Sequence, residues 1–386
     1  MMKLKYRFLV LNIFMSFTAR VAAGYVFIWL MSAQSFGFVE NVTHGYVNCM
    51  ACHVSPAGGG LLNDYGRSLS KELMSTWGWK NSEQPIFGAV KNSDSFKLGG
   101  DYRTIQTYFK NSQVKQGKQF VMQKNIELGF TNSKVSLVGT VGEQEGPSGT
   151  PKKDEFLSER HYLLWDVTDE IKLRAGKFRL NVGLNDPNHT RVTKAPLGFG
   201  PNSESYILEF SKFSEVDEIF VSSDMGRIDI PGGLSSEKSI SINYGRYLTE
   251  KAKAGTSVFF GESEIRRRSL FGFHGVTGLF GDYLLKYEAD YQQSRFFDES
   301  RKDEKLFASV VTFGYQALKG FFPYVSTEYL QSNLSDNSTQ QTSGGIGIQW
   351  LPIPHIELQA EYKKQNNKNS DPERSDSAWL LAHIYL

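Results

Sequence analysis

From about Lys97 to the last residue the chain alternates apolar and polar positions with a period of two. Ile356, Leu358, Ala360 and Tyr362 interleave with Glu357, Gln359 and Glu361. Tyr283, Leu285, Tyr287, Ala289 and Tyr291 interleave with Lys286, Glu288 and Asp290, and Ile171, Leu173 and Ala175 with Lys172 and Arg174. Successive side chains of a strand point to opposite faces, so each run predicts a strand with one apolar and one polar face. Candidate strands begin near residues 97, 120, 133, 158, 170, 204, 216, 238, 254, 268, 280, 305, 321, 343, 354 and 377. Some connections are tight (Thr131-Asn132, Thr168-Asp169, Ser214-Glu215, 317–319, Pro352-Ile353), and others are long and polar (142–157, 180–203, 331–342). The connection around 264–267 breaks the alternation of short and long.

Short turns, long loops and an even count predict an all-β fold, a transmembrane antiparallel β-barrel of about 16 strands. A large secreted β-sandwich or β-helix would alternate too, but repeats of fixed length are absent. Ala378, Leu380, Ala382, Ile384 and Leu386 make an apolar face that runs to the end of the chain, as a closing strand against lipid would. The usual terminal Phe is replaced by Leu386. By parity His383 and His274 point into the lumen, whereas His161 shares its face with Leu163 and Trp165 and points out.

Ahead of the barrel the pattern changes. Lys3, Lys5 and Arg7 precede apolar stretches over 8–17 and 21–31, and small residues follow up to Gly37. This predicts an export signal over 1–37, cut after Ala33 or Gly37, with Met15 as an alternative start. Each apolar run falls short of the roughly 20 residues a spanning helix needs. Residues 38–96 then form a small module, and 97–386 the barrel. In the module Asn63 or Asp64 caps a predicted helix on which Leu69, Leu73, Met74 and Trp77 share one face. The following barrel loop 180–203, with Asp186 and His189, is placed outside as a receiver of cations.

The balance of 43 basic against 41 acidic residues gives no footprint for nucleic acid or for a polybasic membrane surface. Cysteine usage is decisive. The chain has two cysteines, both in Cys49-Met50-Ala51-Cys52-His53. C-x-x-C-H is the attachment pattern of a c-type haem: two thiols reach the two porphyrin vinyl groups, and the adjacent imidazole sits under the iron. A thioredoxin-like pair would need a βαβ context, and a closed zinc site would need four ligands. A plain disulfide is the third alternative. The haem reading makes Cys49 and Cys52 the thioether anchors and His53 the proximal ligand. His44 is the first candidate for the distal position and Met74 the second, and Arg67 is a candidate for a propionate. A module this small needs a staple, and one covalent haem c would serve.

Signal, CxxCH, Pro56, Leu61-Leu62, Tyr65-Gly66-Arg67 and a barrel of about sixteen strands together resemble the fused monohaem cytochrome–porins. The motif covers about twenty residues and the architecture the whole mature chain; Gly58-Gly59-Gly60 departs from the pattern. The resemblance implies electron transfer across the outer membrane between an extracellular donor or acceptor, ferrous iron in the best-known members, and a periplasmic carrier, with lipid around the barrel. Two other classes stay open: a transport porin whose haem module is a plug or sensor, and a barrel with a CxxC thiol or disulfide pair and no haem.

Overall fold

The computed structural model describes residues 46, 48–90, 93–144, 158–186, 188, 191–200, 203–226, 237–368, 370 and 373–386. The predicted export signal, His44 and His189 lie outside the described residues. Sixteen antiparallel strands form one closed barrel. They are β1 (Phe96–Lys110), β2 (Lys115–Asn132), β3 (Val135–Gln144), β4 (His161–Asp166), β5 (Ile171–Phe178), β6 (Ser205–Phe213), β7 (Asp217–Asp224) and β8 (Lys238–Thr249). The second half comprises β9 (Ala252–Glu262), β10 (Arg266–Leu279), β11 (Tyr283–Phe296), β12 (Glu304–Tyr315), β13 (Phe321–Gln331), β14 (Gln340–Ile353), β15 (Ile356–Asn367) and β16 (Arg374–Tyr385). β1 closes on β16, with Thr104 opposite Ala382. Closure leaves no sheet edge unpaired.

The connections differ by end. Residues 133–134, 167–170, 214–216, 250–251, 280–282, 316–320 and 354–355 make one end of short turns. The other end carries the long connections, up to 179–204. The tight connections 111–114 and 263–265 also fall at the long-loop end, so the break in alternation expected around 264–267 is present. Both ends of the barrel sequence, Phe96 and Tyr385, lie at the short-turn end.

The two faces are inverted relative to a water-soluble sheet. Ile126, Leu128 and Phe130 of β2, Leu163 and Trp165 of β4, Phe271 and Phe273 of β10, and Leu380 and Ile384 of β16 are exposed on the outside. Inside, Arg174, Glu209, Lys286, Glu288, Glu328, Glu361 and Lys363 are buried. A contiguous apolar exterior around a polar interior is the arrangement for lipid outside. His383 and His274 are buried on the inner face as parity predicts. No helix among the described residues is long and apolar enough to cross a membrane.

Segments enter the lumen from both ends. From the short-turn end come residues 48–74. From the long-loop end residues 180–186 and 191–199 fold inward, where Val182, Val192, Leu197 and Phe199 pack with Ile207, Phe259 and Leu270 in an apolar cluster. The expectation that this loop stands outside is therefore corrected. Asp186 is ion-paired with Lys286 at 3.1 Å, Lys194 with Glu288 at 2.9 Å, and Arg191 with Glu328 at 2.7 Å. A loop carrying Leu180, Val182 and Leu184 gains more by burying them than by standing in water.

Candidate functional site

The CxxCH string folds as a tight turn running into a hairpin. Asn48 caps the 3-10 turn Cys49–Ala51 through its side chain, which accepts from Met50 N. Val54 N donates to Leu61 O at 2.9 Å, and Asn63 N to Cys52 O at 2.9 Å, which closes the hairpin. Asn63 is its pivot: its amide nitrogen donates to Met50 O and Ala51 O, while its oxygen caps α1 (Asp64–Leu69) by accepting from Gly66 N. The helix continues as one π turn, Ser70–Met74, and ends there. Leu69 and Met74 pack against Cys52, with Leu73 beside them. Trp77 does not share that face, because the chain leaves the lumen after Met74; its predicted place on the helix is corrected.

The three glycines of the hairpin tip have a steric reason. Gly58, Gly59 and Gly60 all lie in the left-handed region, with φ of +82°, +74° and +64°, where a side chain is disfavoured. Space is short as well: a Cβ on Gly58 would lie 2.9 Å from Cys49 Cβ, and one on Gly60 would lie 2.7 Å from a Glu127 carboxylate oxygen. Below the tip Leu61 lies against Gly99 of β1 and Gly129 of β2, where added Cβ atoms would meet it at 2.7 and 2.4 Å. Glycines in the barrel wall thus make the seat for the hairpin. Ser55 Oγ accepts from Arg174 at 2.7 Å, and Ala57 O from Asn185 Nδ2 at 2.5 Å, so wall and inward loop both hold the tip.

Beside this hairpin lies a cavity of about 220 Å³ measured to water centres. Cys49 and His53 line it together with an apolar wall of Leu62, Met74, Phe322 and Leu351. Asp101, Arg103, Glu127, Glu357 and His383 form its polar end. His53 Nδ1 lies 3.3 Å from Gly60 O. As the donor there, Nδ1 carries the proton and Nε2 the lone pair. Burial pushes the His53 imidazole down to about 4, against a smaller opposing effect of the Gly60 contact, so the ring is neutral at neutral pH. Cys52 is fully buried and its thiol is pushed up to about 12, mainly by burial and further by Cys49. The two cysteines are not bridged to each other.

Of the distal candidates, Met74 is on the cavity wall, whereas His44 lies outside the described residues. Arg67 is buried behind Gly66 and Ser70, which line the cavity. Its Nη2 donates to Leu98 O, while Nε and Nη1 have no hydrogen-bond partner among the described residues. Burial pushes its guanidinium down to about 10. A buried guanidinium with one hydrogen bond is costly unless an anion completes it.

Parity alone could not find the partners of His383. Its two ring nitrogens lie 2.9 Å from Asp101 and 2.9 Å from Glu357, so both edges of the imidazole are occupied by carboxylates. The contact joins the first strand to the last two, and no local sequence signal reports it. Among the described residues no group of three or more His, Cys, Asp or Glu is arranged to hold a metal ion.

No family model and no curated protein matches this chain. Among solved structures, it is similar to in-vitro folded OmpT, an outer membrane protein of Vibrio cholerae, at 14% identity and a TM-score of 0.60, over 78% of this chain and 100% of that one. It is similar to an anion-selective porin from Comamonas acidovorans at 9% identity and a TM-score of 0.60, over 76% and 99% of the two chains. The outer membrane channel DcaP of Acinetobacter baumannii matches at 13% identity and a TM-score of 0.55, over 77% and 99%. The likeness is one of fold: this is a porin-like barrel.

Proposed function

We propose that the chain is an outer-membrane electron-transfer protein of the fused cytochrome–porin type, with one c-type haem held in the barrel lumen by Cys49 and Cys52. The observation that carries this reading is the position of the CxxCH hairpin, which lies inside the barrel and on a cavity. His53 supports it: its Nδ1 is held by a backbone carbonyl and its ring is neutral, the state in which an imidazole ligates iron. Arg67 lies behind the cavity lining, so a propionate would reach its Nε and Nη1 only past Gly66 and Ser70. Met74 offers a thioether on the cavity wall as distal ligand. The haem, when bound, supplies a one-electron redox centre that cannot be lost to the medium.

The chain's own residues do the rest. The apolar exterior lodges the barrel in the outer membrane, with short turns toward the periplasm. The hairpin and the inward loop lie in the lumen, held by Arg174, Asn185 and the Lys194–Glu288 pair. An extracellular donor or acceptor, ferrous iron in the family the sequence resembles, then exchanges electrons with a periplasmic carrier. The porin fold favours one competing reading, a transport porin in which the hairpin is a plug or sensor.

The test is expression with c-type maturation machinery, followed by a pyridine haemochrome spectrum beside a Cys52→Ala control. One c-type haem per chain, lost or altered in the control, supports the cytochrome reading. Protein in liposomes is then asked to pass electrons from external ferrous iron to an enclosed carrier. A haem band with open conductance and no electron flow would favour the plugged porin. No band, with both thiols titratable or bridged, would leave a thiol pair and end the conductor reading.

A further inference from the structure

The plug segment does not end inside the barrel. Met74 lines the lumenal cavity, yet three residues later Trp77 lies against the outer surface. The crossing point is the gap between the turns 316–320 and 354–355. There Thr76 N donates to Leu351 O and Trp77 N to Pro352 O, while Thr76 Oγ1 donates to Lys319 O. Gly320 opens the gap: its φ is +75°, and a Cβ on it would lie 2.5 Å from Met74 O and 2.8 Å from Thr76 N. Only glycine suits that conformation and that approach.

Trp350 fixes which side the chain emerges on. In β14 Ile346 and Ile348 are exposed outward and Gln349 and Leu351 line the lumenal cavity, so Trp350 faces out. Its Nε1 donates to Thr76 Oγ1 at 3.0 Å, and its ring meets the Trp77 ring edge-on with centroids 5.9 Å apart. Trp77 therefore extends the apolar exterior of the barrel at its short-turn rim. From there the chain runs as a strap along that rim. Trp79 stacks on Phe87, Phe87 meets His355 edge-on, and His355 Nε2 lies 2.9 Å from Gln84 O.

The strap exposes what a water-facing segment would hide. Trp77 is 59% exposed and Trp79 48%, and Ile86 and Phe87 are exposed beside them. Ile86 and Phe87 hold left-handed backbone, φ 49° and 52°, which is unfavourable for bulky and β-branched residues. Lys80, also exposed, adds an ammonium beside the indoles. Tryptophan with a nearby cation is the composition of a bilayer interface, where the ring is buried among acyl carbonyls and the polar edge meets headgroups.

We propose that residues 75–88 form a membrane-interfacial clip, with Trp77 and Trp79 seated in the phospholipid interface on the short-turn side, that ties the lumenal plug to the bilayer. The proposal rests on the barrel lying in a membrane and not on the haem. The test uses the full chain in phosphatidylcholine vesicles, with and without lipid brominated near the carbonyl end of its acyl chains, which quenches neighbouring indole fluorescence. Wild type is compared with a Trp77→Phe, Trp79→Phe double variant whose barrel folding is checked by its heat-dependent gel mobility. Trp165, Trp350 and Trp379 remain in both as reporters of the barrel, and Trp29 is replaced by Phe in both so that it adds nothing to the remaining signal.

The expected result is that the difference spectrum, wild type minus variant, loses intensity to the brominated lipid at least as strongly per indole as the remaining signal. A difference spectrum untouched by that lipid and quenched by aqueous iodide would overturn the clip. So would one shielded from both quenchers, since protein would then cover the strap. If the remaining indoles also escape the brominated lipid, the membrane reading of the barrel itself fails.

Discussion

Replacing Gly66 by alanine sets two known effects against each other. Gly66 is the third residue of α1, and in an isolated helix alanine there would gain about 0.8–1 kcal/mol. Here a Cβ would lie 2.3 Å from Cys52 O and 2.8 Å from Cys52 Cα, both backbone atoms that cannot swing aside. Overpacking of that kind costs about 1–3 kcal/mol. Pushing Cys52 O away also loses its bond from Asn63 N, a further net cost of about 0.5–1.5 kcal/mol. The clash wins, with a net loss near 2 kcal/mol in a range of about 0.5–3.5. Because the contact lies within the hairpin and helix, the loss is local. Hydrogen exchange at the amides of Val54, Asn63 and Arg67 should speed up by about 30-fold, while the strands keep their protection. If the proposed haem is attached, its yield per chain after maturation should fall as well. Unchanged or slower exchange at those amides would mean that α1 does not press on the CxxCH turn, and the argument built on that contact would be refuted.

Glu209→Ala should cost about 3–5 kcal/mol in urea unfolding, because it strands the buried Arg174 guanidinium, whereas Arg174→Met with Glu209→Leu should recover part of that loss, short of the bond from Arg174 to Ser55 worth about 1.5 kcal/mol. Asn185→Ala should accelerate amide exchange in residues 54–61 about two- to tenfold, the loss of one hydrogen bond to Ala57 O; no change would mean that the two lumenal segments are not latched there. The inward loop also makes a pH prediction. Burial pushes the Asp186 carboxyl up, but Lys286 and Arg191 outweigh it and hold the group below the usual carboxylate range. A depressed folded value means that this stabilisation is complete above about pH 3.9 and is lost as pH falls below it. The stability that Asp186 contributes, read as wild type minus Asp186→Asn, should therefore be flat from pH 7 to 5 and shrink only below about 4; a difference that already shrinks between pH 7 and 5 would contradict this role for Asp186.

The strands were legible because inside and outside of this barrel differ in polarity at every second residue. Candidate starts near 97, 170, 238 and 321 fall at or within a residue of the starts of β1, β5, β8 and β13, and the lumenal places of His274 and His383 follow from the same parity. CxxCH and Met74 were legible as types and come together on one cavity. What sequence could not report is long-range fit. That the hairpin enters the lumen depends on Leu61 finding Gly99 and Gly129, two glycines that locally read only as weak strand positions. The helix was drawn too long because Trp77 keeps helical spacing, although its partner Trp350 lies on the barrel's outer wall. The inward loop was misplaced because long polar connections usually face water, yet the apolar alternation of Leu180, Val182 and Leu184 inside it was already a sign of burial.

The strength of the plug bears on the choice between conductor and transporter. Withdrawing the hairpin from its seat breaks the Arg174–Ser55 and Asn185–Ala57 bonds and uncovers Leu61, while the buried Arg67 guanidinium regains water, so its Leu98 bond adds nothing to the hold. One bond from a charged donor at about 1.5 kcal/mol, one neutral bond near 1 and a leucine near 2 add to roughly 4.5 kcal/mol. At 1.4 kcal/mol per decade, the withdrawn form is then about one molecule in a thousand. A porin that opens by releasing the hairpin would need a ligand that binds the released form about a thousand-fold better. The proposed haem would have the opposite requirement, a fixed position, and the contacts that hold the hairpin in its seat would serve as its mount.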